Sequence, residues 1–143
     1  MDSATFVALI TAAGSVFGAS MTFYLTKKNQ LEMDRQQNKV NHYKVLLSSF
    51  SDLATDGTDK DNANRNFALA SNTIALVAPQ SVITALMKFH DEVKCSNPNK
   101  SANKHDELLI NLLLEIRKDI GISGKDDNKT FNFHLIGSSP KKV

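Results

Sequence analysis

The hydrophobic and polar positions of the chain form two patterns, an uncharged run near the N-terminus and a periodic pattern after it. Residues 3–26 contain no Asp, Glu, Lys or Arg. A helix rises about 1.5 Å per residue, so this run predicts a helix roughly 36 Å long, against a hydrocarbon core of roughly 30 Å. We therefore expect residues 3–26, called here the apolar segment, to form one transmembrane helix.

The charges that flank the apolar segment predict its orientation. Lys27 and Lys28 follow it directly, whereas residues 1–3 contain no Lys or Arg. Positive charge collects on the cytoplasmic side of a spanning helix, so we expect the N-terminus outside and the rest of the chain in the cytoplasm. Tyr24 before these lysines has the position of a membrane-interface aromatic residue. A secretory signal peptide is disfavoured because it would begin with basic residues.

Small and hydroxyl-bearing residues recur within the apolar segment at helical spacing. Small residues let two helices approach closely in lipid, and the candidates for such packing are Ala8, Gly14 and Gly18. Four hydroxyl residues fall near one helical face and are candidates for lining water in an oligomer: Thr11, Ser15, Thr22 and Thr26. The alternative is that these hydroxyls bond carbonyls of their own helix, and that glycine is simply frequent in spanning helices.

After the apolar segment, the pattern predicts a continued helix and then a bundle. Residues 27–39 are mostly polar and free of Gly and Pro, which predicts a solvated helical stalk. Apolar positions then recur at steps of three and four: Val40, Tyr43, Leu47, Phe50 and Ala54. Gly57 predicts the end of this helix, and the Thr58–Asp61 spacing resembles a capping box for the next.

Three further amphipathic helices are predicted, over about residues 61–77, 80–94 and 104–120, with Gly121 as a C-cap of the last. Residues 130–136 alternate like a strand, but no second strand is predicted to pair with them. The expected fold is all-α: a transmembrane helix continuing into a small cytoplasmic bundle over residues 40–121. Residues 122–143 are expected to form an extended tail that docks on this domain or on a neighbouring subunit.

Composition and charge limit the kinds of binding site that the chain is expected to contain. The chain holds 17 Lys and Arg and 15 Asp and Glu, a net charge of +2, which is low for a nucleic-acid binder, so no direct nucleic-acid binding is expected. One cysteine, Cys95, allows no disulfide framework. The triplets that begin at His90 and His105 place neighbouring residues about 100° apart on a helix, which disfavours a metal site and favours a solvated surface. We expect neither metal nor cofactor.

Arg35 and His42 form the one constellation that suggests catalysis. Six residues separate them, a spacing similar to the Arg-x4–6-His signature of HEPN ribonucleases. In those enzymes the histidine acts as general acid or base and the arginine stabilises the phosphorane charge. The HEPN motif lies on a late helix, whereas this pair lies on the predicted stalk. We therefore do not expect an enzyme, and a membrane-tethered ribonuclease is the alternative.

The layout as a whole resembles a known protein family. The features that carry the likeness are the spanning helix followed by Lys-Lys, the sequence Val77-Ala-Pro-Gln-Ser-Val-Ile-Thr-Ala-Leu86 and the ending Glu115-Ile-Arg-Lys-Asp-Ile-Gly121. They resemble the small single-pass membrane accessory proteins of type VI-B CRISPR systems, which have a degenerate HEPN-like origin.

That resemblance implies a homo-oligomer that forms a pore in the bacterial inner membrane and enhances antiviral defence. The implied partners are further copies of the chain, the lipid bilayer, and a CRISPR effector ribonuclease or another defence protein. Arg35 and His42 would then be non-catalytic. A non-conducting membrane adaptor or exclusion protein is a further alternative.

Overall fold

The structure, a computed structural model, describes residues 2–55, 57, 59–94, 96–122 and 125–135. These residues form four α-helices and no strand, so the predicted all-helical fold is confirmed. The helices are α1 (Ser3–Ala54), α2 (Lys60–Ile74), α3 (Gln80–Val93) and α4 (Ala102–Asp119). The chain divides into two units, Met1–Gln37 and Asn38–Val143, and α1 contributes to both.

The first unit consists of the N-terminal part of α1. Neither Gly14 nor Gly18 interrupts the helix, and the polar residues 27–37 continue it as the sequence predicts. Every described residue of this unit is exposed within the chain. Its helical form is therefore not stabilised by tertiary packing within its own chain.

The second unit is a bundle with one hydrophobic core, to which all four helices contribute. The core cluster contains Tyr43, Leu46 and Phe50 of α1, Phe67, Ala70 and Ile74 of α2, Val82, Leu86 and Phe89 of α3, and Leu109, Leu112, Leu113 and Ile116 of α4. The Phe50 ring lies 5.4 Å from Phe67 and 5.0 Å from Phe89, centroid to centroid. Such tilted aromatic contacts are favourable beyond the apolar area that they bury.

Capping side chains and glycines determine where the bundle helices begin and end, and they correct one prediction made from the sequence. The N-cap of α2 is Asp59, whose side chain accepts from the backbone N–H groups of Asp61 and Asn62. The N-cap is therefore Asp59 rather than Thr58, the residue expected from the sequence, and Thr58 itself lies outside the described residues. Gly57 and Gly121 have φ of +83° and +74°, which favours glycine after a helix, and Gly121 follows α4 as predicted.

The buried face of α1 also differs from the expected stripe. Tyr43 and Phe50 are buried as expected, as is Leu46, which widens the predicted face, but Ala54 is exposed and the polar Ser49 is buried. The Ser49 hydroxyl is accommodated because it donates to the Leu46 carbonyl at 2.6 Å. In α3, Met87 is exposed and the charged Glu92 is buried.

Residues 125–135, called here the strap, pack on the bundle of their own chain. Arg117 Nε donates to Asp126 Oδ2 at 2.8 Å, and its guanidinium lies 5.3 Å from the centre of the Phe131 ring. Phe131 and Leu135 pack against the core cluster. The tail thus docks on its own domain as far as Leu135, without forming a strand. Residues 136–143 lie outside the described residues.

Candidate functional site

The apolar segment is the strongest candidate for a functional surface. In the described part of the chain, one helix, α1, is long and apolar enough to cross a membrane, and its most apolar stretch has no residue buried within the chain. Large side chains along it are exposed: Phe6, Val7, Leu9, Ile10, Val16, Phe17, Met21, Phe23, Tyr24 and Leu25. Soluble monomers rarely expose a contiguous apolar surface of this size.

The predicted packing residues of the apolar segment lie on open helix surface. A Cβ atom added at Gly14 or Gly18 would meet no atom of the chain within 4 Å, leaving room for close approach of another helix. Ala8 is likewise exposed. The surface around these three residues is free to contact a neighbouring chain, and their role in packing stays a prediction.

The predicted water-facing hydroxyls bond their own helix. Thr11 Oγ1 donates to the Val7 carbonyl at 2.9 Å, and Thr22 Oγ1 donates to the Gly18 carbonyl at 2.9 Å. Ser15 Oγ donates to the Ala12 carbonyl at 2.8 Å. These bonds match the alternative weighed from the sequence. A hydroxyl that donates still has acceptor lone pairs. The prediction that these residues and the exposed Thr26 line a pore therefore remains untested.

The predicted membrane-interface residues are all exposed on α1: Tyr24, Lys27 and Lys28. The two lysines lie directly beyond the apolar segment. Their side chains can therefore reach lipid headgroups without breaking an internal contact. Interfacial lysines and tyrosines contribute to anchoring because an apolar stem lies in lipid while a polar end meets water.

Arg35 and His42 are placed differently from each other. Arg35 is exposed in the first unit, and His42 is half-buried in the second, beside the buried Tyr43 on α1. Among the described residues, no group of three or more His, Cys, Asp and Glu is arranged to hold a metal ion. The ribonuclease alternative gains no specific support from these positions.

The triplet that begins at His90 matches the solvated surface expected from the sequence at His90 and Asp91, which are exposed, but not at Glu92. Glu92 is only 5% exposed, and its Oε1 accepts from the Ser101 backbone N–H at 2.8 Å. That bond lowers the pKa of Glu92, while burial acts in the opposite direction. Because Ser101 immediately precedes α4, Glu92 fixes the connection between α3 and α4. The solvated-surface prediction is therefore wrong for Glu92.

The second triplet contributes to holding the strap. The two carboxylate oxygens of Asp106 contact different histidines, His105 Nδ1 at 3.1 Å and His134 Nδ1 at 2.9 Å. These two hydrogen bonds, that of His105 first, lower the pKa of Asp106. Asp106 thereby joins α4 to the strap. Sequence reasoning missed this contact because His134 is 28 residues away in the chain.

A further polar cluster joins α1 to the end of α4. Asp119 Oδ1 accepts from Lys39 Nζ at 2.9 Å, and Asp119 Oδ2 accepts from the Tyr43 hydroxyl at 2.6 Å. Burial and then the hydrogen bond to Asp119 raise the pKa of Tyr43 well above its usual range. The phenol therefore stays protonated and keeps donating at neutral pH. No sequence pattern indicates these pairings, because Asp119 lies 80 residues from Lys39 and 76 from Tyr43 in the chain.

The chain matches no protein-family model, no curated protein and no solved structure.

Proposed function

We propose that the chain is a single-pass membrane protein that self-associates through its apolar segment and carries its helical bundle in the cytoplasm. The observation that supports this proposal is the complete exposure of the apolar segment within the chain. Leaving so many apolar side chains in water would cost about 25 cal/mol per Å² of apolar surface. A bilayer removes that cost, and a helix satisfies its own backbone hydrogen bonds there.

Self-association is proposed to use the face that carries Gly14 and Gly18. Lipid tails are as apolar as leucine, so helices in a membrane associate mainly through close packing rather than through the hydrophobic effect. The open surface over both glycines allows that approach. Ala8, the third predicted packing residue, lies about 120° round the helix from Gly14 and belongs to a neighbouring face.

The assembled form is proposed to perturb the bacterial inner membrane as a pore and to enhance antiviral defence. The support for this step is the resemblance to CRISPR-associated membrane proteins, together with the hydroxyl residues Thr11, Ser15, Thr22 and Thr26. Back-bonded hydroxyls in a spanning helix can still accept hydrogen bonds from water. The bundle would receive the activating signal from a defence ribonuclease or another partner.

The first test replaces both glycines. Gly14→Leu with Gly18→Leu fills the proposed contact face and should convert oligomers in detergent and in nanodiscs to monomers, as measured by light scattering coupled to gel filtration. We expect at least a tenfold loss in association, which corresponds to about 1.4 kcal/mol of helix packing.

A matched control separates packing from added bulk. Ala12→Leu with Val16→Leu has the same spacing and lies on the opposite side of the helix at about 3.6 residues per turn. This control should keep the wild-type oligomer and, in a planar bilayer, the wild-type conductance. Equal assembly of the two double variants would contradict the interface. Stable oligomers without conductance would favour the non-conducting adaptor.

A further inference from the structure

A column of large side chains runs along α1 from the apolar segment into the polar stalk, residues 27–39. Its members recur every seven residues and are all more than half exposed: Ile10 (57%), Phe17 (79%), Tyr24 (65%) and Leu31 (55%). Seven residues are about two helical turns, so these side chains follow one side of the helix. Leu31 lies beyond Lys27 and Lys28, outside the expected hydrocarbon core, and is therefore an apolar side chain that neither lipid nor its own chain covers.

The column defines a heptad register for the N-terminal part of α1. Helices that associate over heptads place residues a and d in the seam between them and residues e and g beside it. With the column at d, the residues at a are Gly14, Met21, Lys28 and Arg35. The residues at e include Gly18 and Glu32, and those at g include Lys27 and Asp34. The register therefore joins the proposed glycine contact to the stalk.

The charges beside this seam are complementary between two parallel copies. Position g of one helix faces position e of the following heptad on the other helix, which sets Lys27 of one copy against Glu32 of the other. Within one helix these two residues are five positions apart, or about 140° round the axis, and cannot meet. Their opposite charges can therefore be paired only between chains.

The structure leaves these charges without a partner in their own chain. Across the described residues, Lys27, Glu32 and Asp34 form no ion pair. Lys27 and Asp34 have no opposite charge three or four positions away, where a partner on the same helix would lie. Glu32 has Lys28 and Arg35 at those distances and pairs with neither. All of these residues belong to the Met1–Gln37 unit, and all are exposed.

Lys28 and Arg35 are the unfavourable members of the seam. Their long apolar stems can lie along it while the charged ends reach water. Position g of the other helix borders position a, so Asp34 of the second copy lies beside Arg35. Lys28 has no such neighbour and lowers the stability of the seam, as polar residues at a do where they determine register.

We propose that the stalk of one copy packs in parallel against the stalk of a second copy. Leu31 of each copy lies in the seam, and Lys27 of each pairs with Glu32 of the other. This inference rests on the proposed self-association of the apolar segment and extends that contact into water. Complementary charges there disfavour a neighbour that is out of register, which close packing in lipid does less selectively.

Disulfide trapping tests the seam in the full chain, purified in detergent micelles with Cys95→Ser as background. Leu31→Cys places a thiol in the seam. Met33→Cys is the matched control, because Met33 is 70% exposed and lies about 160° round the helix from Leu31. A disulfide requires Cα atoms about 4.4–6.8 Å apart, so mild oxidation should give covalent dimers of Leu31→Cys and few of Met33→Cys.

Charge exchange tests the pairing. Glu32→Lys replaces two attractive pairs of each contact by repulsive ones and should weaken association roughly tenfold, as measured by light scattering. Adding Lys27→Glu exchanges the two charges and should restore association. Adding Met33→Glu instead places a glutamate on the far side of the stalk and should not restore it. Circular dichroism should show unchanged helix content, since these side chains are exposed.

Two results would overturn the stalk contact while leaving self-association intact. One is equal cross-linking of Leu31→Cys and Met33→Cys in protein that light scattering shows to be oligomeric. The other is equal rescue of Glu32→Lys by Lys27→Glu and by Met33→Glu, which would show a response to net charge rather than to a pair. A wild-type chain that is monomeric in micelles would instead contradict the proposed self-association, and the stalk contact with it.

Discussion

At the scale of single residues, buried polar side chains link the helices of the bundle to one another. Asp119 ends α4, where a carboxylate faces the negative end of the helix dipole and is disfavoured by roughly 0.3–1 kcal/mol. Contacts with Lys39 and Tyr43 offset that cost, and the Asp119 side chain is only 11% exposed. Asp119 therefore links the end of α4 to α1 within the bundle.

Replacing Asp119 tests this link. Asp119→Ala removes the acceptor for both the Lys39 ammonium and the Tyr43 hydroxyl, so we expect the bundle to lose about 2–3 kcal/mol in its free energy of unfolding. Urea unfolding of the full chain, followed by circular dichroism in detergent, measures the change. Asp34→Ala removes an exposed carboxylate of the first unit and should change stability little. Equal effects of the two substitutions would contradict the role assigned to Asp119.

Sequence periodicity predicted the apolar core better than these polar residues. Phe67, Leu86 and Leu112 are buried as their helical spacing predicts, because burial of an apolar stripe determines which face of a helix turns inward. Glu92 and Asp119 could not be assigned in the same way. Their burial depends on partners that only the tertiary fold brings close, and charge alone favours exposure.

The strap is the element whose arrangement the sequence left most open. Its anchors are the Arg117–Asp126 ion pair, the Arg117–Phe131 contact, the Asp106–His134 hydrogen bond, and the apolar contacts of Phe131 and Leu135. Each anchor joins the strap to the bundle through side chains. Within residues 130–135 the alternation corresponds to core contacts at Phe131 and Leu135 but not at the exposed Phe133, and these residues form no strand.

Phe131→Ala tests the docking of the strap. Loss of its core contact and of the arginine contact should open the strap more often and accelerate tryptic cleavage at Lys125 and Lys129 about tenfold, equivalent to about 1.4 kcal/mol. The rate is measured by mass spectrometry during limited digestion. Phe133→Ala is the matched control, because this neighbouring ring is exposed and lies outside the core cluster. Similar acceleration by both substitutions would show that Phe131 does not anchor the strap.

The molecule as a whole combines an exposed apolar helix with a bundle that has its own core. The helix bounds followed closely from the sequence, because residues 3–54 contain no proline and only two glycines, both within an apolar stretch. Length and composition alone indicate an element fit to span a bilayer. The contacts of the apolar segment lie outside its own chain, and in the proposed assembly a second copy would complete the face of Gly14 and Gly18. The glycine double variant is therefore the test of the proposed assembly and conductance.

The most direct measurement of the central proposal is the membrane topology of the chain in bacterial cells. In a Cys95→Ser background, Asp2→Cys and Lys100→Cys place single thiols at exposed positions, the first before the apolar segment and the second in the bundle. A membrane-impermeant maleimide should label Asp2→Cys in intact cells and Lys100→Cys only after permeabilisation. Labelling of Lys100→Cys in intact cells, or recovery of the chain in the soluble fraction, would contradict a membrane-spanning α1 with a cytoplasmic bundle.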